Sequence, residues 1–223
     1  MSRTSGVTGR AWLLACAAFI VYALLWLGYV QQWNWLARLD NAALDTAHDY
    51  GIAHPGWVSA WDVFCTVLGP GAFRLVVAVV VIVLLVRHQW LVAMFLIATV
   101  ELSGLATEVA KLLAERPRPP TALVSAYGTS FPSGHSVGIV VCVLALLALF
   151  MPKAGPALRP WLGVFGVVLI LAIGIGRVLL NVHHPSDVVA GWAFGYVYFV
   201  ICLYVFPHRE LSSGAETPPA PGT

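Results

Sequence analysis

The sequence is poor in charged residues, with 12 Lys and Arg and 10 Asp and Glu among 223 residues, or 10% of the chain. A soluble domain carries about a quarter of its residues as these four types. Hydrophobic residues make up 60% of this chain instead. The composition argues against a soluble domain and against an extensively disordered chain, and it predicts a protein embedded in a lipid bilayer.

Clusters of positive charge and paired cysteines are also missing. The net charge is +2, and no basic cluster extends beyond Arg116 and Arg118, which argues against nucleic acid as a partner. The four cysteines lie inside apolar segments and form no CxxC pair; they are Cys16, Cys65, Cys142 and Cys202. We therefore expect buried free thiols rather than disulfides or a metal site.

Long uncharged runs predict six membrane-spanning helices, at about residues 11–30, 57–86, 90–113, 135–151, 161–180 and 186–206. A run of about 20 residues at 1.5 Å per residue crosses a hydrocarbon core of about 30 Å. The second run is the least regular because Gly69-Pro70-Gly71 should bend it, and the alternative is a short outer helix followed by a span. No internal repeat is found, which weakens a transporter built from duplicated halves. The predicted fold class is an all-α polytopic membrane protein.

The segment after the first span has an amphipathic pattern. Residues 36–50 place Leu36, Leu39, Ala43 and Ala47 on one helical face, which predicts a short helix on the outer membrane interface. We expect an aromatic belt there, formed by Trp33, Trp35, Trp57 and Trp61. This gives three predicted parts: residues 1–56 with the first span and the interfacial segment, a membrane core over 57–206, and a disordered cytoplasmic tail over 207–223.

The basic residues in the connecting segments give a weak signal for orientation. When the cations assigned below to a site are set aside, the remaining Lys and Arg favour a cytoplasmic N-terminus. The predicted arrangement in the cell membrane has both termini in the cytoplasm and the functional loops on the extracytoplasmic side.

The first group of polar residues follows the third span. Lys111 should lie in the last turn of that helix, while neighbouring prolines end the helix and stiffen the loop that holds Arg118. An ammonium and a guanidinium suit a tetrahedral oxyanion such as phosphate. The alternative is that both cations complement the helix dipole or reach toward lipid headgroups.

The second group is Phe131-Pro132-Ser133-Gly134-His135-Ser136, directly before the fourth span. Ser133 is placed to cap that helix, and Gly134 leaves room for an anion at the free N–H groups of the first turn. His135 would lie beside that anion. The alternative is an ordinary turn and cap with a structural histidine.

The third group joins spans five and six and contains Arg177, His183 and Asp187. Pro185 fits the first position of helix six, which makes His184 the predicted cap and leaves His183 just outside the helix. Asp187 can then reach back over the helix start. A carboxylate bonded to one imidazole nitrogen leaves the other free as a nucleophile or base. The alternative is a capping carboxylate beside a structural histidine pair, which does not account for Arg177.

Taken together, K-x6-RP, PSGH and R-x5-H-x3-D resemble the signature of the type 2 phosphatidic acid phosphatase and vanadium haloperoxidase superfamily, over roughly residues 57–206. The resemblance implies a set of phosphate-binding residues: Lys111, Arg118, Ser133, Gly134 and Arg177. It also implies that His183 is the nucleophile, that Asp187 orients it and that His135 protonates the leaving group. The sequence departs from the family in having Gly176 where Ser often precedes the arginine.

The resemblance implies a membrane lipid phosphatase that forms a phosphohistidine at the outer leaflet. Its expected partners are the bilayer and a lipid substrate, either polyprenyl diphosphate, phosphatidic acid or phosphatidylglycerol phosphate, and analogy with small bacterial members favours the first. Asp187 is the only carboxylate at the positions that the three motifs specify, so we expect no metal and no cofactor. The alternatives are a haloperoxidase that holds vanadate in the same pocket and a lipid carrier or small transporter without catalysis.

Glu108 lies outside the family signature but shares a helical stripe with Lys111 and Glu101. An ionised residue in a span costs about 2.5–3.5 kcal/mol on insertion scales unless it is partnered. We expect Glu108 to pair with Lys111 and to support its ammonium group without taking part in the reaction. The alternative is a carboxylate that faces a water-filled cleft and leaves Lys111 unaffected.

Overall fold

A computed structural model describes the backbone of residues 3–206 and the side chains of residues 9–206. All regular structure in the described backbone is helical, which confirms the predicted all-α class. The α-helices are α1 Arg3–Val30, α2 Asn34–Ala53, α3 Pro55–Val67, α4 Pro70–Val86, α5 Trp90–Leu96, α6 Ser103–Ala114, α7 Gly134–Phe150, α8 Arg159–Leu179 and α9 Pro185–Val205. A π-helical segment, Ile97–Glu101, joins α5 to α6. The tail predicted to be disordered, 207–223, lies outside the described residues.

Within the described residues, five helical stretches are long and apolar enough to cross a membrane: Gly9–Val30, Pro55–Val86, Trp90–Ala114, Arg159–Leu179 and Pro185–Val205. The fourth predicted span corresponds to α7, which is apolar but only 17 residues long. This pattern agrees with a multi-pass membrane protein. The count of six spans and the interfacial position of α2 stay predictions.

Helix α7 lies at the centre of the bundle. It packs against α4, α6, α8, α9 and the π-helical segment, and most of its residues from Ser136 to Ala145 are buried. Helix α9 approaches its backbone closely through two glycines one turn apart. A Cβ atom on Gly191 would stand 2.7 Å from the Ser133 carbonyl oxygen, and one on Gly195 would stand 2.9 Å from that of Val137. These glycines bring the start of α9 against the start of α7.

Two of the predicted spans are interrupted. The break between α3 and α4 falls at Leu68 and Gly69, where the sequence predicted a bend. The span predicted over 90–113 corresponds to the apolar stretch Trp90–Ala114, within which a π-helical segment that the sequence did not predict separates α5 from α6. The Ser103 hydroxyl donates to the Val100 carbonyl at 2.7 Å, so a side chain supplies a hydrogen bond to a backbone acceptor where the helix changes pitch. Such π-helical segments are frequent near functional sites.

The face that α2 buries differs from the predicted one. Leu36 and Ala47 are buried as predicted, but Leu39 is 61% exposed and Asp40 is buried in its place. Helix α2 packs on α8 and α9 in this orientation. The prediction failed because it grouped apolar side chains alone, whereas α2 turns a carboxylate toward partners described below.

The cysteines are free thiols, as predicted. Cys65, Cys142 and Cys202 are buried, but Cys16 is exposed on α1. The prediction of burial is therefore wrong for Cys16, because α1 packs mainly on α9 and leaves the rest of its surface uncovered.

Candidate active site

The three motifs meet where α6 and α8 end and where α7 and α9 begin. The backbone N–H of Ser133 donates to the Asp187 carbonyl at 3.0 Å, which joins the second motif to the third. The N–H of Ser130 donates to the Arg116 carbonyl at 2.8 Å and ties the loop before α7 to the end of the first motif. Short backbone bonds therefore fix three segments that are distant in sequence.

Arg118 lies directly beside His183. Its Nη1 donates to the Val182 carbonyl at 2.8 Å and lies 3.1 Å from His183 Nε2, while Nη2 donates to the Tyr127 carbonyl at 2.8 Å. A guanidinium only donates, so this contact suits a neutral imidazole whose Nε2 carries a lone pair and whose Nδ1 carries the proton. Burial, followed by the charge of Arg177, lowers the pKa of Arg118 from its ordinary value.

His183 is only 1% exposed. Burial is the main cause that lowers its pKa to about 4, the nearby Asp187 carboxylate works in the opposite direction, and Arg118 lowers the pKa further. The imidazole is therefore neutral at pH 7, which is the form that a nucleophile requires.

Asp187 contacts His183 less closely than the sequence predicted. Its Oδ2 lies 3.6 Å from His183 Nδ1, just beyond hydrogen-bond length, and Nδ1 has no hydrogen-bond partner. The same oxygen accepts from the His184 backbone N–H at 2.9 Å and lies 3.0 Å from His184 Nδ1. The predicted cap of α9 is thus confirmed, with Pro185 at the first turn. Asp187 attracts the His183 imidazole only across the longer distance.

Arg116 connects Asp187 to α2 through a network that the sequence motifs did not predict. Its Nη1 bonds Asp187 Oδ1 at 2.7 Å and Ser186 Oγ at 2.7 Å, and its Nη2 bonds Asp40 Oδ2 at 2.8 Å. The guanidinium also lies over the Tyr29 ring at 4.9 Å. Asp40 accepts from the Ser186 backbone N–H at 3.0 Å. The buried ion pairs of Arg116 with Asp40 and Asp187 hold the start of α9. The signal for this network in the sequence was Asp40, a charged residue within the apolar pattern of α2.

Lys111 lies in the last turn of α6, as predicted. Its Nζ bonds Glu108 Oε1 at 2.8 Å, which confirms the predicted pair, although the Glu108 side chain is 65% exposed. A Cβ atom on Gly134 would stand 3.8 Å from Lys111 Nζ. The missing side chain therefore leaves space for a ligand between the ammonium and the start of α7.

Ser133 caps α7 by accepting from the Ser136 N–H at 3.5 Å, as predicted. His135 follows in the first turn, within reach of the charges of Arg177, His183, Arg118 and Lys111. Arg177 is buried in the last turn of α8, and its Nε has no hydrogen-bond partner. A bound anion at this position would satisfy that donor.

Packing against α3 explains why residue 176 is glycine. A Cβ atom at this position would stand 2.6 Å from Cys65 Sγ and 2.9 Å from the Trp61 ring. Serine, which often occupies this position in the family that the motifs resemble, would not fit against α3 in this chain. The departure therefore reflects the close approach of α3 to α8.

A cavity of about 330 Å³ lies near this site, and its lining includes Arg74, Gly104 and Thr107 together with Gly134 and His135. The sequence predicted no role for the first three. No group of three or more His, Cys, Asp or Glu side chains within the part of the chain that the structure describes is arranged to hold a metal ion.

Comparisons with known proteins agree with this architecture. Phosphatidylglycerophosphatase B of Bacillus subtilis (strain 168) is 37% identical over 101 residues, which are 44% of this chain and 49% of that protein. Lipid A 1-phosphatase of Rhizobium johnstonii is 30% identical over 164 residues, 66% of this chain and 63% of that protein. Undecaprenyl-diphosphatase of Sulfolobus acidocaldarius is 34% identical over 95 residues, 40% of this chain and 42% of that protein. The matched part thus spans from under half to less than two thirds of these relatives' lengths.

A solved structure shares the fold. The crystal structure of a transmembrane PAP2 type phosphatidylglycerolphosphate phosphatase from Bacillus subtilis superposes with a TM-score of 0.72 at 23% sequence identity, over 86% of this chain and 94% of that one. The model of the PAP2 superfamily matches residues 90–211, which contain all three motifs. Because this match covers more than half of the 223 residues, the chain belongs to the PAP2 superfamily.

Proposed function

We propose that this chain is an integral membrane lipid phosphatase that hydrolyses a lipid phosphate or diphosphate through a phosphohistidine intermediate. The main supporting observation is the neutral, buried His183, whose Nε2 lies 3.1 Å from a guanidinium that can bind phosphate. Phosphoryl transfer needs an in-line nucleophile and neutralised charge on the equatorial oxygens. His183 supplies the first and the surrounding cations supply the second.

In the first step, His183 Nε2 attacks phosphorus while Lys111, Arg118 and Arg177 bind the phosphate oxygens together with the N–H groups at the start of α7. The Nε2–P bond forms and the P–O bond to the lipid breaks. The leaving oxygen keeps the electron pair and takes a proton from His135, which is protonated in this step because the bound phosphate offsets the charge of the surrounding cations. The product of this step is a phosphoramidate on His183.

In the second step, water attacks the same phosphorus. His135, now neutral, accepts a proton from the water, and the N–P bond breaks so that its electron pair returns to Nε2. Inorganic phosphate leaves, and His183 is ready for the next lipid.

Asp187 acts in this proposal by stabilising charge on His183. As Nε2 bonds to phosphorus, positive charge develops on the imidazole, and a carboxylate 3.6 Å from Nδ1 favours that state. The side chain also caps α9, so it fixes the position of the helix that follows His183.

In this mechanism, protein cations neutralise all of the phosphate charge and no metal ion takes part. The site lies at the extracytoplasmic face in this proposal, where the headgroup enters the cationic pocket and the hydrocarbon chain stays in the bilayer.

The relatives' names refer to phosphatidylglycerophosphate, lipid A and undecaprenyl diphosphate, all of which offer a phosphate on a lipid. Among such lipids we propose a polyprenyl diphosphate.

The test is phosphate release by detergent-purified protein from farnesyl phosphate and farnesyl diphosphate in the presence of EDTA and without vanadate. We expect turnover by the wild type and its loss in His183→Ala, because the nucleophile is removed while the phosphate cations stay. His88→Asn, which changes an exposed histidine, is the matched control. A wild type that binds these lipids without releasing phosphate would favour a carrier. Oxidation of halide by the protein with added vanadate and peroxide, without phosphate release, would favour a haloperoxidase.

A further inference from the structure

A cavity of about 330 Å³ adjoins the site next to His135. Its walls come from α3, α4, α6 and α7, and they include Pro70, Arg74, Gly104, Thr107, Gly134 and His135. His183 lies outside this lining, so the cavity extends from the phosphate position on the side of the proposed proton donor. That is the side from which a leaving group departs in an in-line displacement.

Arg74 places a guanidinium in this cavity. Its Nη2 donates to Ser103 Oγ at 3.1 Å, whereas its Nε is buried and has no hydrogen-bond partner among the described residues. None of the ion pairs within 4.0 Å among the side chains of residues 9–206 includes Arg74. A Cβ atom on Gly104 would stand 3.1 Å from Nη1, so the absence of a side chain there lets the guanidinium lie against α6.

The Arg74 guanidinium lies about one helical turn further along α7 than the Lys111 ammonium. Lys111 Nζ would lie 3.8 Å from a Cβ atom on Gly134, and Arg74 Nη2 would lie 3.6 Å from one on Gly138. Four residues along α7 correspond to a rise of about 6 Å. Two cations therefore occupy successive turns along one face of α7, with Lys111 near the phosphate site and Arg74 deeper in the bundle.

We propose that Arg74 binds the second phosphate of a lipid diphosphate, which makes it a specificity-determining residue for diphosphates over monophosphates. This inference rests on the proposed phosphatase function. His183 Nε2 bonds to the terminal phosphorus, and the bond between that phosphorus and the bridging oxygen breaks. The bridging oxygen keeps the electron pair and leaves as part of the lipid monophosphate, whose charge Arg74 neutralises.

The positions of Lys111 near the end of the bundle and of Arg74 deeper in it match the two phosphates of a lipid diphosphate. The scissile phosphate lies at the end of the bundle, the inner phosphate lies one turn deeper at Arg74, and the hydrocarbon chain continues into the bilayer. A lipid monophosphate with a simple alcohol leaving group presents no anion at Arg74.

Two carboxylates near the cavity define the competing explanation. Glu108 lines the cavity but already bonds Lys111. Glu101 lies, like Arg74, near the Cys142 thiol, and its Oε1 is buried without a hydrogen-bond partner. If Arg74 only neutralised this acidic environment, its loss would weaken the fold and affect all substrates equally.

The test compares farnesyl diphosphate with farnesyl phosphate in wild type, Arg74→Gln and Arg74→Lys. We expect kcat/KM of Arg74→Gln for the diphosphate to fall by about tenfold or more, as for a lost charged hydrogen bond, with less than about a twofold change for the monophosphate. Arg74→Lys should recover part of the diphosphate rate. Arg87→Gln, which removes an exposed positive charge at the other end of α4, should leave both rates unchanged. Equal losses for both substrates in Arg74→Gln would overturn the inference.

A second measurement uses only the wild type and so does not depend on how the variants fold. Methylenediphosphonate should inhibit farnesyl phosphate hydrolysis with an inhibition constant about tenfold or more below that of methylphosphonate. Equal inhibition constants would contradict a second phosphate site. A wild type that hydrolyses neither farnesyl lipid would refute the proposed phosphatase function itself, whereas hydrolysis with equal losses or equal inhibition would refute only the role of Arg74.

Discussion

At the scale of single residues, the proposed role of His183 as nucleophile depends on its burial. Burial lowers the pKa of this imidazole from 6.5 to about 4, so the neutral form persists well below pH 6.5 and protonation sets in only as the pH approaches 4. We expect an NMR titration of ¹⁵N-histidine-labelled protein in detergent to show one resonance with a midpoint near 4, absent from His183→Gln. A midpoint for this resonance at or above 6.5 would show that the imidazole is hydrated or paired with Asp187 more closely than the structure indicates.

Asp40 is the residue through which α2 influences the site. It shares Arg116 with Asp187, so replacing it with asparagine leaves the guanidinium with a single anionic partner. We expect Asp40→Asn to lower the free energy of unfolding by about 1.5–3 kcal/mol, as for a lost charged hydrogen bond. It should also lower kcat more than it raises KM, because Arg116 then draws on Asp187 alone and the carboxylate moves relative to His183.

The control for this variant is Asp45→Asn, which removes an exposed carboxylate from the same helix. Thermal unfolding and steady-state kinetics at a temperature where both variants are folded measure the two effects. Identical behaviour of Asp40→Asn and Asp45→Asn would leave Asp40 without a role in the site.

At the scale of elements, the contact between α7 and α9 determines how the second and third motifs meet. A methyl group on Gly191 would stand 2.7 Å from the Ser133 carbonyl oxygen and 2.7 Å from Ser136 Cβ, directly at the motif that we propose to bind phosphate. We expect Gly191→Ala to lower the free energy of unfolding by about 1–3 kcal/mol through overpacking, and to lower activity because the start of α9 is displaced.

Gly163→Ala on α8 is the matched control, because a Cβ atom there would meet only Met151 Cε at 3.8 Å. Thermal unfolding in detergent and the rate of phosphate release are the measurements. If Gly191→Ala matched this control in both, the close α7–α9 approach would not hold the site together.

The sequence predicted those features of the elements that local chemistry determines. Ser133 before an apolar run, Pro185 after two histidines, and Gly69-Pro70 inside a long helix each have one strong local interpretation, and the structure has the caps and the break there. The orientation of α2 and the role of Arg116 depend on partners more than 60 residues away. A helical face judged by hydrophobicity alone cannot identify a buried carboxylate whose partner comes from another segment.

The π-helical segment also depends on contacts with other elements, and the local sequence did not predict it. Residues 90–113 have the length and hydropathy of an ordinary span, and nothing local marks Ile97–Glu101 as a change of pitch. The buried Thr99 and Ser103 hydroxyls are visible in the sequence, but their effect on the helix depends on packing against α4 and α7.

At the scale of the whole molecule, the orientation in the membrane is the main open prediction. The site and the loop between α7 and α8 lie at opposite ends of α7, so cysteines at the two ends should be accessible from opposite sides. We expect a membrane-impermeant maleimide to modify Tyr127→Cys in intact cells, since this side chain is 90% exposed next to the site. It should modify Ala157→Cys only after the cells are opened.

The four native cysteines provide the background for this labelling, and it is measured on the wild type. Labelling of Ala157→Cys but not Tyr127→Cys in intact cells would invert the topology and place the substrate in the cytoplasmic leaflet.

The most direct test of the central claim, that His183 carries the phosphoryl group, is a rapid-quench experiment on the whole detergent-solubilised protein. Wild type is mixed with farnesyl phosphate carrying ³²P, quenched in base within the first turnovers, and digested for mass spectrometry. We predict a base-stable, acid-labile phosphoryl group on the peptide that contains His183, and no label in His183→Gln. Steady release of phosphate by wild type without any labelled protein, or label on another residue with activity retained in His183→Gln, would contradict the account.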